Sequence, residues 1–180
     1  FSYEGGYGKG YDTLLKAAEC LPKSIGFYIV GDEPTEEFWN WKKEKNLTNV
    51  HFIGFKNESD LKEYYLASDA FILLTKGDVW GLVINEAMSY GLPIITTYQC
   101  VAGVELVQDD VNGYLVEAGD VETTVEKIDK IFNMEAESYE VIRQNNIKKM
   151  REYSVEKMAV KHLHSIGGDC PKTKMNVHRN

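Results

Sequence analysis

Nowhere in these 180 residues do some 18 apolar residues run together, so no bilayer-spanning helix can be read from the chain. No charged-then-apolar leader opens it, and a start at Phe1 rather than at Met is expected of a fragment. Cysteine is sparse: Cys20, Cys100 and Cys170 are odd in number, far apart and without C-x-x-C spacing. That excludes a disulfide scaffold and a zinc module, and it suits a reducing cytoplasm. Positive charge is also in short supply, with 20 Lys and Arg against 28 Asp and Glu. Lys161, Lys172, Lys174 and Arg179 against Asp169 give the last 20 residues a net +3, which leaves −11 on the rest. So acidic a body repels nucleic-acid phosphates, although a local basic pocket could still hold a diphosphate. What is present is ordinary for a globular protein: 43% hydrophobic, 12% aromatic and 27% charged residues. One domain of this length buries about 70% of the surface its unfolded chain exposes.

From about residue 11 to 132, short apolar runs alternate with amphipathic stretches. Leu14, Leu15, Ala17, Ala18 and Leu21 sit at helical spacing, and further helices are expected at 35–45, 60–67, 82–90 and 120–132, the last capped by Asp120. Strands are expected at 25–30, 50–53, 70–74, 93–97 and 113–116, the run at 70–74 fully buried. This alternation predicts an α/β fold, a Rossmann-like parallel sheet with helices on both faces. Two terminal helices follow at 138–152 and 155–164, giving one domain over 1–168 and a disordered tail at 169–180. Such a sheet opens with a strand before its first helix; residues 1–10 supply little of one, so that strand is expected to be truncated.

The segment Thr75-Lys76-Gly77-Asp78-Val79-Trp80-Gly81-Leu82-Val83 joins a buried strand to a helix through a polar loop. Ligands of open α/β sheets bind at the carboxyl ends of strands, and a helix N-terminus there offers free N–H groups to an anion. Gly81 permits close approach to the backbone, while Gly91 and Pro93 stop the helix. Asp78 and Glu86 flank that helix start, with Glu86 about 7.5 Å along the axis from Gly81. On spacing alone the first reading is that Glu86 is a surface or salt-bridged helix acid and Asp78 a loop acid.

Other chemistries lack their residues. Gly5-Gly6-x-Gly8-x-Gly10 does not have the dinucleotide spacing G-x-G-x-x-G, and G-x-x-x-x-G-K-[ST] and G-x-S-x-G are both missing. His51, His162, His164 and His178 form no ligand set, so no metal is expected.

Asp78-x7-Glu86 followed by Ala87-Met88-x-x-Gly91-x-Pro93 resembles the acidic-pair motif of retaining nucleotide-sugar glycosyltransferases, GT-B fold, family 4 type, also called group 1. In order along the chain, Lys9-Gly10-x-Asp12-x-Leu14-Leu15, Ile29-Val30-Gly31-Asp32-Glu33-Pro34, Val50-His51-Phe52-Ile53-Gly54-Phe55, Ser68-Asp69-Ala70-Phe71-Ile72-Leu73-Leu74 and Asn112-Gly113-Tyr114-Leu115-Val116-x-x-Gly119-Asp120 are similar to that family's segments. The resemblance covers about residues 9 to 160. It implies the C-terminal, donor-binding domain of a hexosyltransferase that moves a sugar from a nucleoside diphosphate, UDP above all, to a glycan, lipid or small acceptor in cell-surface polysaccharide synthesis. Glu86 would bind the ribose, the backbone of Gly81, Leu82 and Val83 would face the diphosphate, and Lys9 would counter its charge. Asp78 would touch the transferred sugar, and Gly31 and Phe55, with Gly54, would line the base pocket. The implied partners are the nucleotide-sugar donor, a saccharide or lipid-linked acceptor, and an N-terminal domain without which the fragment is inactive. No cofactor or metal is implied. The expected place is the cytoplasm, at the membrane's cytoplasmic face, and the +3 charge of the last 20 residues is what offers peripheral contact with anionic lipid. Two positions depart from the pattern: Asp78 stands where the family usually has Glu, and Glu4 where it commonly has Arg. The alternatives are a non-catalytic nucleotide-sugar-binding module and a GT-B-fold sugar-nucleotide epimerase.

Overall fold

The structure, a computed structural model, describes residues 8–31 and 33–153. The expectations for a first strand ahead of residue 10, for a helix at 155–164 and for the tail at 169–180 fall wholly or largely outside the described residues. Helices and strands alternate along the chain: α1 (Tyr11–Cys20), β1 (Phe27–Val30), α2 (Glu36–Glu44), β2 (Val50–Gly54), α3 (Glu58–Ala67), β3 (Phe71–Leu73), α4 (Leu82–Ser89), β4 (Ile94–Thr97), α5 (Val101–Leu106), β5 (Gly113–Val116), α6 (Val121–Phe132) and α7 (Ala136–Glu152). Strand β5 spans the four residues expected of it. Local chemistry fixes several boundaries. Asn57 opens α3 by accepting the Asp60 N–H at 2.9 Å, and Asp120 opens α6 by accepting that of Thr123 at 3.0 Å. Hydrogen bonds from the Thr123 hydroxyl and amide hold the Asp120 carboxyl below the ordinary range. Gly91 ends α4 with φ +81°, its N–H donating to the Met88 carbonyl at 2.9 Å.

All strand pairings are parallel. Phe27 stands opposite Val50 in the β1–β2 pair, and β4 lies between β3 and β5 with Phe71 opposite Ile94 and Ile94 opposite Gly113. Among the described residues the strands form two groups, β1–β2 and β3–β4–β5. Alternate residues of the second group feed two cores, as the period of two demands. Ile72, Ile95, Tyr114 and Val116 join Leu15, Ala18 and Ile128 of α1 and α6. Phe71, Leu73, Ile94 and Leu115 join Ile84, Met88 and Leu106 of α4 and α5. Phe27, Ile29 and Val50 share the first of these cores, so α1 ties both strand groups into one body.

Two expectations need correction. Strand β3 is not fully buried; Phe71, Ile72 and Leu73 keep partial exposure because one edge of the strand borders a cleft. Helix α5 was not expected, since Val101, Gly103 and Val104 are poor helix formers. It forms because Ala102, Gly103 and Leu106 pack inward, with Gly103 so close to Thr96 that an added Cβ would lie 2.5 Å from the threonine methyl. Helix α7 packs on α4, and its buried Asn146 donates to the carbonyls of Leu92 at 2.7 Å and Asn112 at 2.9 Å. No helix of the described residues is long and apolar enough to cross a membrane.

Candidate functional site

In a parallel sheet every strand-to-helix loop opens at the same edge, and that edge is where the chain's unusual side chains converge. A cleft of about 1130 Å³ runs along the carboxyl ends of β1 and β3 and between the two strands. Of the nine residues given roles from the sequence, Lys9, Gly31, Phe55, Asp78, Gly81, Leu82 and Val83 line it, and Gly54 and Glu86 do not. Gly31 and Phe55 lie at the ends of β1 and β2. Phe55 is 77% exposed, which removes it from the core.

Helix α4 opens at Gly81, whose φ of +91° and closeness to Cys100 (2.7 Å from Sγ to an added Cβ) call for glycine. No side chain caps this end. The amides of Leu82 and Val83 precede the first intrahelical bond, from Ile84 N–H to the Gly81 carbonyl at 2.9 Å, and are available to an anion. The loop before the helix is fastened from below. Asp78 N–H donates to the Gln99 carbonyl at 3.1 Å, Ala102 N–H to that of Trp80 at 2.8 Å, and the Cys100 thiol to the same Trp80 carbonyl at 3.4 Å. On the other side Gly8 is tied in, its carbonyl accepting from Lys76 N–H at 2.8 Å and from the Thr75 hydroxyl at 3.1 Å.

Two contacts join residues far apart in sequence. Lys9 Nζ lies 2.6 Å from Asp78 Oδ2, so the cation expected to face a diphosphate is paired with the acid expected to face the sugar. Asp78 Oδ1 also accepts from Trp80 N–H at 3.3 Å, which sets the carboxylate's direction. Glu86, exposed on α4, accepts the Tyr65 hydroxyl on Oε2 at 3.0 Å. The Tyr65 ring is buried and stacks on Tyr90, centroids 5.2 Å apart and planes 14° apart. Burial first, then the Glu86 charge, push the Tyr65 hydroxyl well above its ordinary range. Tyr65 therefore stays a donor, fixes one carboxylate oxygen of Glu86 and leaves Oε1 for another partner. Because Tyr65 lines the cleft, Glu86 is linked to it through that hydroxyl.

Tyr65, Cys100 and Thr75 were not singled out from the sequence. Their partners lie 20 to 67 residues away, and no local spacing relates such pairs. Among the described residues no three His, Cys, Asp or Glu side chains gather into a metal-ligand set.

Comparison with known proteins places these features in context. The model of the family "Glycosyl transferases group 1" matches residues 4–149. An uncharacterized glycosyltransferase of Haemophilus influenzae is 33% identical over 164 residues, covering 88% of this chain and 44% of that protein. The lipopolysaccharide glucosyltransferase WaaG of Escherichia coli is 30% identical over 97 residues, covering 51% of this chain and 25% of WaaG. The crystal structure of Anabaena HepE in complex with UDP superposes with a TM-score of 0.79 at 22% identity, over 89% of this chain and 45% of HepE. The shared fold is that of the C-terminal half of GT-B glycosyltransferases. The chain spans less than half the length of the curated relatives it matches.

Proposed function

The chain belongs to the group 1 glycosyl transferases, and from that premise we propose that it forms the donor-binding half of an enzyme that transfers a hexose, with retention, from a UDP-sugar to a glycan or lipid acceptor in cell-surface polysaccharide synthesis. The observation that carries the reading is the uncapped start of α4 at Gly81, which lines the cleft together with the paired Lys9 and Asp78 and with Tyr65, the hydrogen-bond partner of Glu86.

The diphosphate sits on the Leu82 and Val83 amides, where the helix end supplies roughly half a positive charge. Lys9 exchanges its Asp78 partner for a phosphate oxygen, and the two cationic elements together do what a metal ion does elsewhere. The freed Asp78 turns to hydroxyls of the transferred sugar. Glu86 accepts the ribose hydroxyls on the oxygen Tyr65 leaves open, and the base lies against Gly31 and Phe55. An N-terminal domain completes the cleft and carries the acceptor.

Two variants test these roles. Asp78→Ala releases Lys9, so UDP affinity is expected to hold or tighten slightly. Transfer by a full-length enzyme carrying the change is expected to fall about tenfold or more, the worth of a charge-assisted hydrogen bond made to the sugar. Calorimetry paired with a transfer assay reads both, and a parallel loss of UDP binding would remove Asp78 from the sugar side. Tyr65→Phe keeps the ring stack and removes the hydroxyl. UDP binding is expected to weaken by roughly three- to tenfold, one hydrogen bond's net value, with a melting temperature within about 3 °C of the parent. Unchanged UDP affinity in that variant would mean that the tyrosine does not orient Glu86.

A further inference from the structure

Every polar group of Trp80 has a partner. Its N–H donates to Asp78 Oδ1 at 3.3 Å. Its carbonyl accepts from Ala102 N–H at 2.8 Å and from the Cys100 thiol at 3.4 Å. Its indole Nε1 donates to Asn85 Oδ1 at 2.9 Å. Trp80 thus stands between two parts of the candidate site: Asp78 lies two residues before it, and its peptide leads into Gly81, where α4 opens. The ring borders the cleft and is packed against the core that holds Ile84, Met88 and Leu106.

Asn85 is the unexpected member of this set. Its α4 neighbours Ile84, Ala87 and Met88 are buried apolar residues, and asparagine is a poor helix former. It stands one turn in from Gly81, on the same face of the helix, and does not itself line the cleft. An indole N–H can only donate, which fixes the direction of the Asn85 amide. Oδ1 faces Trp80, and Nδ2 faces α7, where it meets Met150 Sδ at 3.8 Å. Just past the end of α7, the Tyr153 hydroxyl donates to Glu105 Oε1 of α5 at 2.9 Å. The end of α7 therefore braces both supports of Trp80, the α4 side through Asn85 and the α5 side through Glu105.

We propose that Asn85 is a positioning residue for the diphosphate site: its bond to the indole holds Trp80, and Trp80 sets the direction of Asp78 and of the Leu82 and Val83 amides. The inference rests on the donor-binding reading above and adds to it a residue that never touches the ligand. Backbone bonds to Gln99 and Ala102 fasten the loop along one seam, on the α5 side. A chain fastened along one seam can still turn about it. The indole bond fastens the opposite side, to α4, and removes that freedom. Binding groups hold their geometry when supporting hydrogen bonds lock them in this way.

UDP titrations of four forms of the 180-residue chain test it: the parent, Asn85→Leu, Trp80→Phe and the two changes together, each after a thermal melt. In the chain that keeps Trp80, Asn85→Leu is expected to weaken UDP binding about three- to tenfold. The same change is expected to move the amide signals of Asp78 and Gly81 in the free protein. In the Trp80→Phe chain there is no indole N–H to hold, and Asn85→Leu is expected to leave UDP affinity within about twofold. A lower melting temperature with parent-like UDP affinity would make Asn85 a residue of the fold alone and overturn the proposal. An equal loss of affinity in both backgrounds would also overturn it, because Asn85 would then not act through Trp80. A parent chain that binds no UDP is a third and distinct result, which overturns the donor-binding reading and this inference with it. Should Asn85→Leu fail to fold, Asn85→Ala, which favours the helix, replaces it in both backgrounds with the same expected results.

Discussion

Glu86→Ala is expected to weaken UDP binding by about ten- to a hundredfold. A carboxylate accepting two ribose hydroxyls makes charge-assisted bonds worth about 1.5–3 kcal/mol, and about 1.4 kcal/mol is a factor of ten. Glu86 is exposed, so its removal opens no cavity. Its one cost to the fold is the Tyr65 hydroxyl, which loses its acceptor. Glu86→Gln isolates that cost, because the amide oxygen still accepts from Tyr65 while the charge is gone. The glutamine variant is expected to melt like the parent and still bind UDP more weakly. Titration calorimetry on both, each after a thermal melt, reads the effect. Parent-like affinity in Glu86→Ala would make Glu86 a solvated helix acid.

Gly10→Ala is expected to cost the fold about 3–5 kcal/mol, a fall in melting temperature on the order of 10 °C. Two costs combine. With φ at +78° a side chain adds about 1–2 kcal/mol of backbone strain. An added Cβ would also run into the Leu74 carbonyl, with its carbon at 2.6 Å, and because that neighbour is backbone the two segments must separate. Gly119→Ala separates these costs: its φ of +88° is similar, but nothing lies within 4 Å of the added carbon. It is expected to lose only the strain, about 1 kcal/mol. Thermal melts of the two variants give the collision by difference. Equal losses at both sites would mean that the contact between Gly10 and Leu74 is not tight. Because Gly10 adjoins Lys9, the same displacement is expected to pull Lys9 from Asp78 and weaken UDP binding.

How far the sequence could be read depended on how local each signal was. Strand β5 and the Asp120 cap were legible because a buried apolar run and a cap three residues before its target are short-range patterns. The Asp78–Gly81 loop was legible as a site because ligands of open α/β sheets bind at the carboxyl ends of strands, while Lys9, Gly31 and Phe55 came from the family resemblance; all of them line one cleft because parallel strands deliver their exit loops to one edge. Pairings across that edge were not legible. Lys9 meets Asp78 across 69 residues and Tyr65 meets Glu86 across 21, and periodicity carries no information about which loop faces which. Helix α5 was hidden because packing against Thr96 overrides the weak propensity of its valines and glycine. The partial exposure of β3 was hidden because an apolar run reports the faces of a strand and not its edges.

The central claim is that the start of α4 and its neighbours bind a nucleoside diphosphate without metal. The most direct measurement is a UDP titration of the 180-residue chain in EDTA and again with magnesium, followed by amide chemical shifts. Saturable binding at about millimolar or tighter, near −4 kcal/mol, is expected in both solutions, with the largest shifts at Gly81, Leu82 and Val83 and the next at Lys9. Binding that requires magnesium, no saturation at several times about millimolar UDP, or shifts centred away from Gly81 would contradict the account.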